Sequence, residues 1–114
     1  MIEKKGMVRV SFTELNKETV LINKVNANLF RGMEAVGGKL TITNQRLIFT
    51  SHSLNIQAGT TDIPMSEIAT VRKRNTMGLI PNGMSVILKN GTEHKFVVWK
   101  RDMLIKTILD NMGS

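Results

Sequence analysis

The sequence predicts a mainly β domain: about seven antiparallel strands, built as a small barrel or two packed sheets, with one C-terminal helix covering an open end. Three observations carry this expectation. Apolar and polar residues alternate through most of the chain from residue 20 onward. Asn and Gly punctuate those runs, as hairpin turns require. Only after Asp102 does the apolar period lengthen to that of a helix.

Taken in order, Met1–Lys5 is expected to fray, and Ser11-Phe12-Thr13-Glu14 has the spacing of a capping box. Residues 1–19 are read as an N-terminal extension and 20–112 as the domain. Glu18 to Phe30 reads as a strand, with Val25, Ala27 and Leu29 alternating against Lys24, Asn26 and Asn28. Arg31 to Gly38 is expected to turn the chain, the paired Gly37-Gly38 suiting a sharp bend or bulge at a sheet corner.

The best-patterned segment is GKLTITNQRLIFTS, residues 38–51. A two-residue Asn44-Gln45 loop would put Ile42 opposite Leu47 and Leu40 opposite Phe49, all on one apolar face. The other face would carry Lys39, Thr41, Thr43, Arg46, Ile48 and Thr50. A slip of one residue would expose the whole apolar set, so burial fixes the register. Gln45 is a poor fit to a turn that needs positive φ, which leaves a longer type I loop open.

Residues 52–62 are polar and read as a loop or weak strand, and Pro64 should end a strand because it cannot donate to an interior ladder. Ile68 to Arg74 is the next strand, closing in the run Arg72-Lys73-Arg74-Asn75, and Met77 to Gly83 is read as a loop with an apolar tip. Around Asn90-Gly91, a three-residue loop Lys89-Asn90-Gly91 puts Met84, Val86 and Leu88 on one face with His94, Phe96 and Val98. A two-residue loop would mix polar residues into that face. Asp102 is expected to cap a helix with the stripe Leu104, Ile105, Ile108, Leu109 and Met112.

Composition narrows the function. With no cysteine there is no thiolate nucleophile, disulfide framework or cysteine-based metal site. The two histidines, His52 and His94, fall in different hairpins, and Glu34, Asp62, Glu67, Glu93 and Asp102 show no pairing suited to acid–base work. No nucleotide-binding, calcium-binding or zinc-protease motif occurs. The chain is therefore read as non-enzymatic, with no cofactor or metal. No run approaches the roughly 20 apolar residues needed to span a bilayer, and Met1–Val10 lacks the features of a signal peptide. The expected location is cytoplasmic, peripheral at the inner membrane face.

The net charge of +7 favours an anionic partner. The candidate anion-binding residues are Arg72, Lys73, Arg74, Lys39 and Arg46, with Met77, Leu79 and Ile80 as an apolar loop tip. Arginine's fork suits phosphate, and lysine acts as a point charge. Against this stands the plainer reading of scattered solvated charges.

Several segments resemble the GRAM domain family. These are Asn28-Leu29-Phe30 with Gly32, then Gly37-Gly38 through Leu47-Ile48-Phe49, and downstream Ile63-Pro64-Met65-Ser66-Glu67-Ile68. Lys73 to Gly83 and Phe96 to Asp102 are similar to small bacterial stand-alone members. The resemblance implies a pleckstrin-homology-like fold, a bent seven-stranded barrel closed by a C-terminal helix. It also implies a binding module for membrane lipid or protein, and it transfers no catalytic residue. The function expected is peripheral association with anionic lipid headgroups, or docking to a protein partner, through a basic face of the barrel. The alternatives are a nucleic-acid binder and a self-associating structural subunit. Nucleic acid is disfavoured because aromatics make up only 4% of the chain, and stacking platforms are scarce.

Overall fold

Alternation in the sequence becomes one continuous sheet. The computed structural model describes residues 17–52, 59–76 and 78–112. Seven antiparallel strands follow one another: β1 (Val20–Arg31), β2 (Glu34–Thr43), β3 (Arg46–Ser51), β4 (Thr60–Pro64), β5 (Ile68–Thr76), β6 (Ile80–Leu88) and β7 (Glu93–Val98). A 3-10 turn (Met65–Glu67) links β4 to β5, and helix α1 (Arg101–Asn111) closes the order. The strands lie in the sequence β4-β3-β2-β1-β7-β6-β5. The fold is thus mainly β and pleckstrin-homology-like, a curled half-barrel in which β4 and β5 remain edges. The Ser11–Glu14 capping box and the Met77 tip position lie outside the described residues.

The opening hairpin has the expected register, with Ile42 opposite Leu47, Thr41 opposite Ile48 and Leu40 opposite Phe49. Its turn is stabilised by a side chain rather than by positive φ. The Thr43 hydroxyl oxygen accepts from the backbone N–H groups of Gln45 and Arg46, both at 3.0 Å. Thr43 was expected on the solvated face, yet it is only 2% exposed, because satisfying those two amides draws the hydroxyl under the turn. Asn44 ties the preceding segment down: its carboxamide oxygen accepts from the Thr19 amide at 2.7 Å, and its amide group donates to the Lys17 carbonyl at 3.1 Å.

Three local expectations are corrected. The chain turns at Gly32-Met33, with Gly32 at φ 65°, and β2 already begins at Glu34. Gly37 and Gly38 therefore lie inside a strand, where Gly38 lets the Phe49 ring and the Thr50 carbonyl approach closely. Strand β6 begins at Ile80, so the expected loop through Gly83 shrinks to a tight turn at Gly78, whose φ is 74°. Finally, the helix is capped by Lys100 in the left-handed region (φ 55°, ψ 47°), with no side-chain cap bond. Asp102 sits within the first turn instead, where the positive end of the helix dipole and Lys73, at 3.0 Å, both favour its charge. The final hairpin turns as expected through Lys89-Asn90-Gly91, with Gly91 at φ 94° and the Leu88 amide donating to Thr92 at 2.8 Å.

Strand β1 keeps its apolar phase by bulging. Ile22 pairs with Ile42 and Val25 with Leu40, so Asn23 and Lys24 together oppose Thr41. Without that extra residue Ile22 and Val25 would point to opposite faces. Both pack against the core, and Lys24 takes the left-handed conformation at φ 52°.

The inner face forms one cluster that includes Leu29, Leu40, Ile42, Leu47, Phe49, Met84, Val86, Phe96 and Val98. Helix α1 presses Leu104, Ile105 and Ile108 into it across β5 and β6, while Leu109 remains exposed. Phe49 of β3 and Phe96 of β7 meet edge to face, ring centroids 6.1 Å apart, joining the two halves of the curled sheet.

Candidate functional site

Because side chains alternate, the buried set on the inner face assigns the rest to the outer face. Val71 is buried, so its neighbours Arg72 and Arg74 point outward from β5. Across the sheet Arg72 pairs with Ser85 of β6, and Ser85 with Lys95 of β7, which makes one cross-strand row. Ser85 is buried beneath this row and donates to the Glu93 carboxylate at 2.6 Å. That bond, followed by the charges of Lys95, Arg74 and Arg72, holds the Glu93 carboxyl below the usual carboxylate range. Three cations therefore surround a single carboxylate on the outer face of β5–β7.

The basic run does not converge as a unit. Lys73 projects to the opposite side, toward the helix, and pairs with Asp102, whose carboxyl it holds low by hydrogen bond and charge. Arg101, also basic and adjacent, serves as a clamp. It is 13% exposed, and its Nη1 donates to the Arg74 carbonyl at 2.8 Å and the Asn75 carboxamide oxygen at 3.3 Å. This bond set ties the start of α1 to the end of β5.

Arg46 occupies another kind of setting. Its Nε donates to Glu18 at 2.7 Å and its Nη1 to Asp62 at 2.5 Å, and these bonds push its pKa still higher. Glu18, which also accepts from the Thr43 hydroxyl at 2.8 Å, is held low chiefly by Arg46. The guanidinium is thus spent on joining the N-terminal segment, β3 and β4. Lys39 points outward from β2 and donates to Asn26 at 2.5 Å. It lies on the same outer face as Arg72 and Arg74, but four strands away in the sheet order. At about 4.8 Å per strand that is about 19 Å, too far for one headgroup to bridge.

Next to Arg74 is the turn between β5 and β6. Leu79 is 83% and Ile80 51% exposed. The Thr76 hydroxyl donates to the Asn82 carboxamide oxygen, bracing the hairpin just below these two side chains. Cations and bare aliphatic side chains therefore share one hairpin.

Sequence reasoning missed Lys95 and Lys24 as neighbours of these groups. Lys95 was legible as outward-facing, but its alignment with Arg72 depends on the β5–β6 register, which no turn motif specified. Lys24 is placed by the β1 bulge, for which the sequence gives no warning. Among the described residues, no group of three or more His, Asp or Glu side chains is arranged to hold a metal ion. No described helix is long and apolar enough to cross a membrane.

A curled antiparallel sheet closed by a C-terminal helix defines a pleckstrin-homology-like domain. The chain matches the GRAM domain family over residues 6–110 and belongs to that family of lipid- and protein-binding modules. The match begins ahead of residue 20, where the sequence pattern puts the domain start. No match is found among curated proteins. Among solved structures, the chain is similar to the C-terminal domain of an unknown protein from Leishmania infantum. The two share 24% identity and a TM-score of 0.71 over 88% of this chain and 89% of that one, a likeness of fold.

Proposed function

We propose that this domain is a non-catalytic module that docks on anionic membrane surfaces through the outer face of β5–β7. One observation carries this reading: Arg72, Arg74 and Lys95 flank a hairpin whose tip presents Leu79 and Ile80 to solvent. Cations attract the protein to anionic headgroups, and the aliphatic pair gains by leaving water at the interface. A cytoplasmic protein held at the inner leaflet follows from the same reading.

The magnitudes are consistent with reversible binding. Each basic residue near an anionic surface is worth about 1 kcal/mol, and Glu93 offsets one of the three. Partial burial of two aliphatic side chains adds about 3–4 kcal/mol. The total of about 5–6 kcal/mol corresponds to roughly 0.1 mM affinity, which suits a peripheral module or one that acts in several copies.

Cosedimentation with vesicles tests the proposal. The protein should pellet with phosphatidylcholine vesicles containing phosphatidylserine and stay in the supernatant with phosphatidylcholine alone. R72Q/R74Q should weaken binding about 30-fold, since about 2 kcal/mol is removed, and Leu79→Ser should weaken it at unchanged salt dependence. Equal recovery with neutral vesicles, or no recovery with either, would overturn it in favour of a protein partner.

A further inference from the structure

On the outer face of β1–β3, well away from the hairpin just described, lies a cleft of about 290 Å³ lined by Lys24, Lys39, Thr41, Thr50, Ser51 and His52. The sheet register explains its composition. Asn26, Lys39 and Thr50 form one outward row across the three strands. Thr41 begins the next row, with the bulged Lys24 against it: the Lys24 amide donates to the Thr41 hydroxyl oxygen at 3.2 Å. Two ammonium groups and two threonine hydroxyls thus face one concavity, and among the described residues no carboxylate lines it. Past His52 the surface continues into a second depression of about 160 Å³, which includes Asn28, Gly37 and Trp99. This depression exists because Gly37 has no side chain on the outward face, so the His52 and Asn28 side chains approach bare backbone.

Two features of this cleft are unfavourable for an empty surface. Lys24 adopts a left-handed backbone conformation that costs a residue with a Cβ and that glycine would adopt freely. Its charge also sits diagonal to that of Lys39, where like charges on neighbouring strands repel. Lys39 is held in place by its bond to Asn26, which leaves two of its three donors for another acceptor. An anion between the ammonium groups would offset the repulsion, and strained backbone of this kind accumulates where a ligand is held.

We propose that this cleft binds a phosphate monoester, the phosphate between Lys24 and Lys39 with Thr41 and Thr50 donating to its oxygens, and the organic remainder extending past His52 toward Trp99. The site is independent of the hairpin face, so either can fail without the other. A soluble phosphorylated metabolite and the headgroup of a phosphatidic acid present the same chemistry to it.

The test is a titration of the full ¹⁵N-labelled chain with glycerol 3-phosphate, at ionic strength held constant with sodium chloride. Saturable amide shifts are expected at Lys24, Lys39, Thr41 and Thr50, with Arg72, Arg74 and Lys95 unmoved. K39Q and K24G should each weaken binding at least fivefold while retaining native spectral dispersion. K24G carries a second signature: it should raise the urea midpoint while lowering affinity, which a purely structural lysine would not do. A competition arm separates the sources. Displacement from phosphatidic acid vesicles by glycerol 3-phosphate identifies a lipid headgroup site, and binding of glycerol 3-phosphate without such displacement identifies a soluble ligand. Shifts that stay linear with concentration, that spread over all basic residues, or that persist unchanged in K24G and K39Q would overturn the proposal.

Discussion

Adjacent glycines in β2 should differ sharply in their tolerance of the same substitution. A methyl group added at Gly38 would overlap the Thr50 carbonyl oxygen and lie 2.7 Å from Cζ and 3.0 Å from Cε1 of Phe49. Neither obstacle yields easily. The carbonyl belongs to the β2–β3 ladder, in which Lys39 pairs with Thr50. The ring is buried and locked edge to face against Phe96. Overpacking of a well-filled interior costs about 1–3 kcal/mol, and a clash with both backbone and a fixed ring belongs at the upper end. Gly→Ala also restricts the unfolded chain and returns about 0.4–1 kcal/mol. The net expectation for Gly38→Ala is about 2–3 kcal/mol of lost stability, a large share of the roughly 5–15 kcal/mol typical of a domain. At Gly37 the same methyl would meet the Asn28 side-chain oxygen at 3.2 Å and the edge of His52 at 3.9 Å. The Asn28 tip swings away cheaply, so Gly37→Ala should stay within about 1 kcal/mol of the parent. Urea denaturation at equal protein concentration measures both, with unchanged m-values confirming that the denatured states match. If the two variants have the same midpoint, or Gly37→Ala is the worse, the packing argument for Gly38 is wrong.

Three further expectations follow from the polar contacts. Thr43→Val removes the hydroxyl that accepts from the turn amides of Gln45 and Arg46 and should cost about 1–2 kcal/mol by urea denaturation, whereas Thr43→Ser should cost under about 1. Arg101→Met removes the charged clamp from α1 to the Arg74 carbonyl and should cost about 2 kcal/mol, with hydrogen exchange rising first in α1 and at the end of β5. Burial lowers the His94 pKa, so on acidification the unfolded chain takes up a proton near pH 6.5 before the folded chain does. Stability should therefore begin to fall as pH drops through about 6.5. A second decline should begin below about pH 4.5, where the lowered carboxyls of Glu18, Glu93 and Asp102 lose their stabilising charge. His94→Leu should abolish the first decline and keep the second, which thermal unfolding from about pH 8 down to about pH 2.5 would show.

What was legible in the sequence was whatever a period of two could encode. Leu40, Ile42, Leu47 and Phe49 share a face in the structure because a slip would expose them all, and that constraint is visible in the letters alone. The loop Lys89-Asn90-Gly91 was legible for the same reason: only one turn length put Val86 and Phe96 on one side. The position of the β1 bulge was not, because an extra residue looks like a lapse in alternation until its partner strand is known. Gly37 and Gly38 read as a bend, since a glycine required by a neighbouring strand's carbonyl is indistinguishable in sequence from one required by its own φ. Asp102 read as a cap because its type and position fit, but Lys73 engages its carboxylate and Lys100 supplies the chain reversal. Basic residues were legible as charge but not as a site. Arg72, Lys73 and Arg74 are consecutive, and a strand necessarily sends the middle one to the opposite side.

That opposition gives the basic run a second consequence. Strand β5 is an edge of the sheet, nine residues long, and an unpaired edge of that length invites another chain to add to it. Cations on both faces of the edge make approach by an identical edge unfavourable, because Arg72, Lys73 and Arg74 would meet their own copies. Strand β4, the other edge, is five residues long and ends in Pro64, which has no amide to offer. Both edges thus carry features that disfavour sheet-to-sheet growth, and this weighs against self-association through the strands. The proposed membrane docking through the outer face and the β5–β6 tip is compatible with such guarded edges. There the same Arg72 and Arg74 that guard the edge lie beside Leu79 and Ile80, which are exposed although nothing in the domain's own packing requires it.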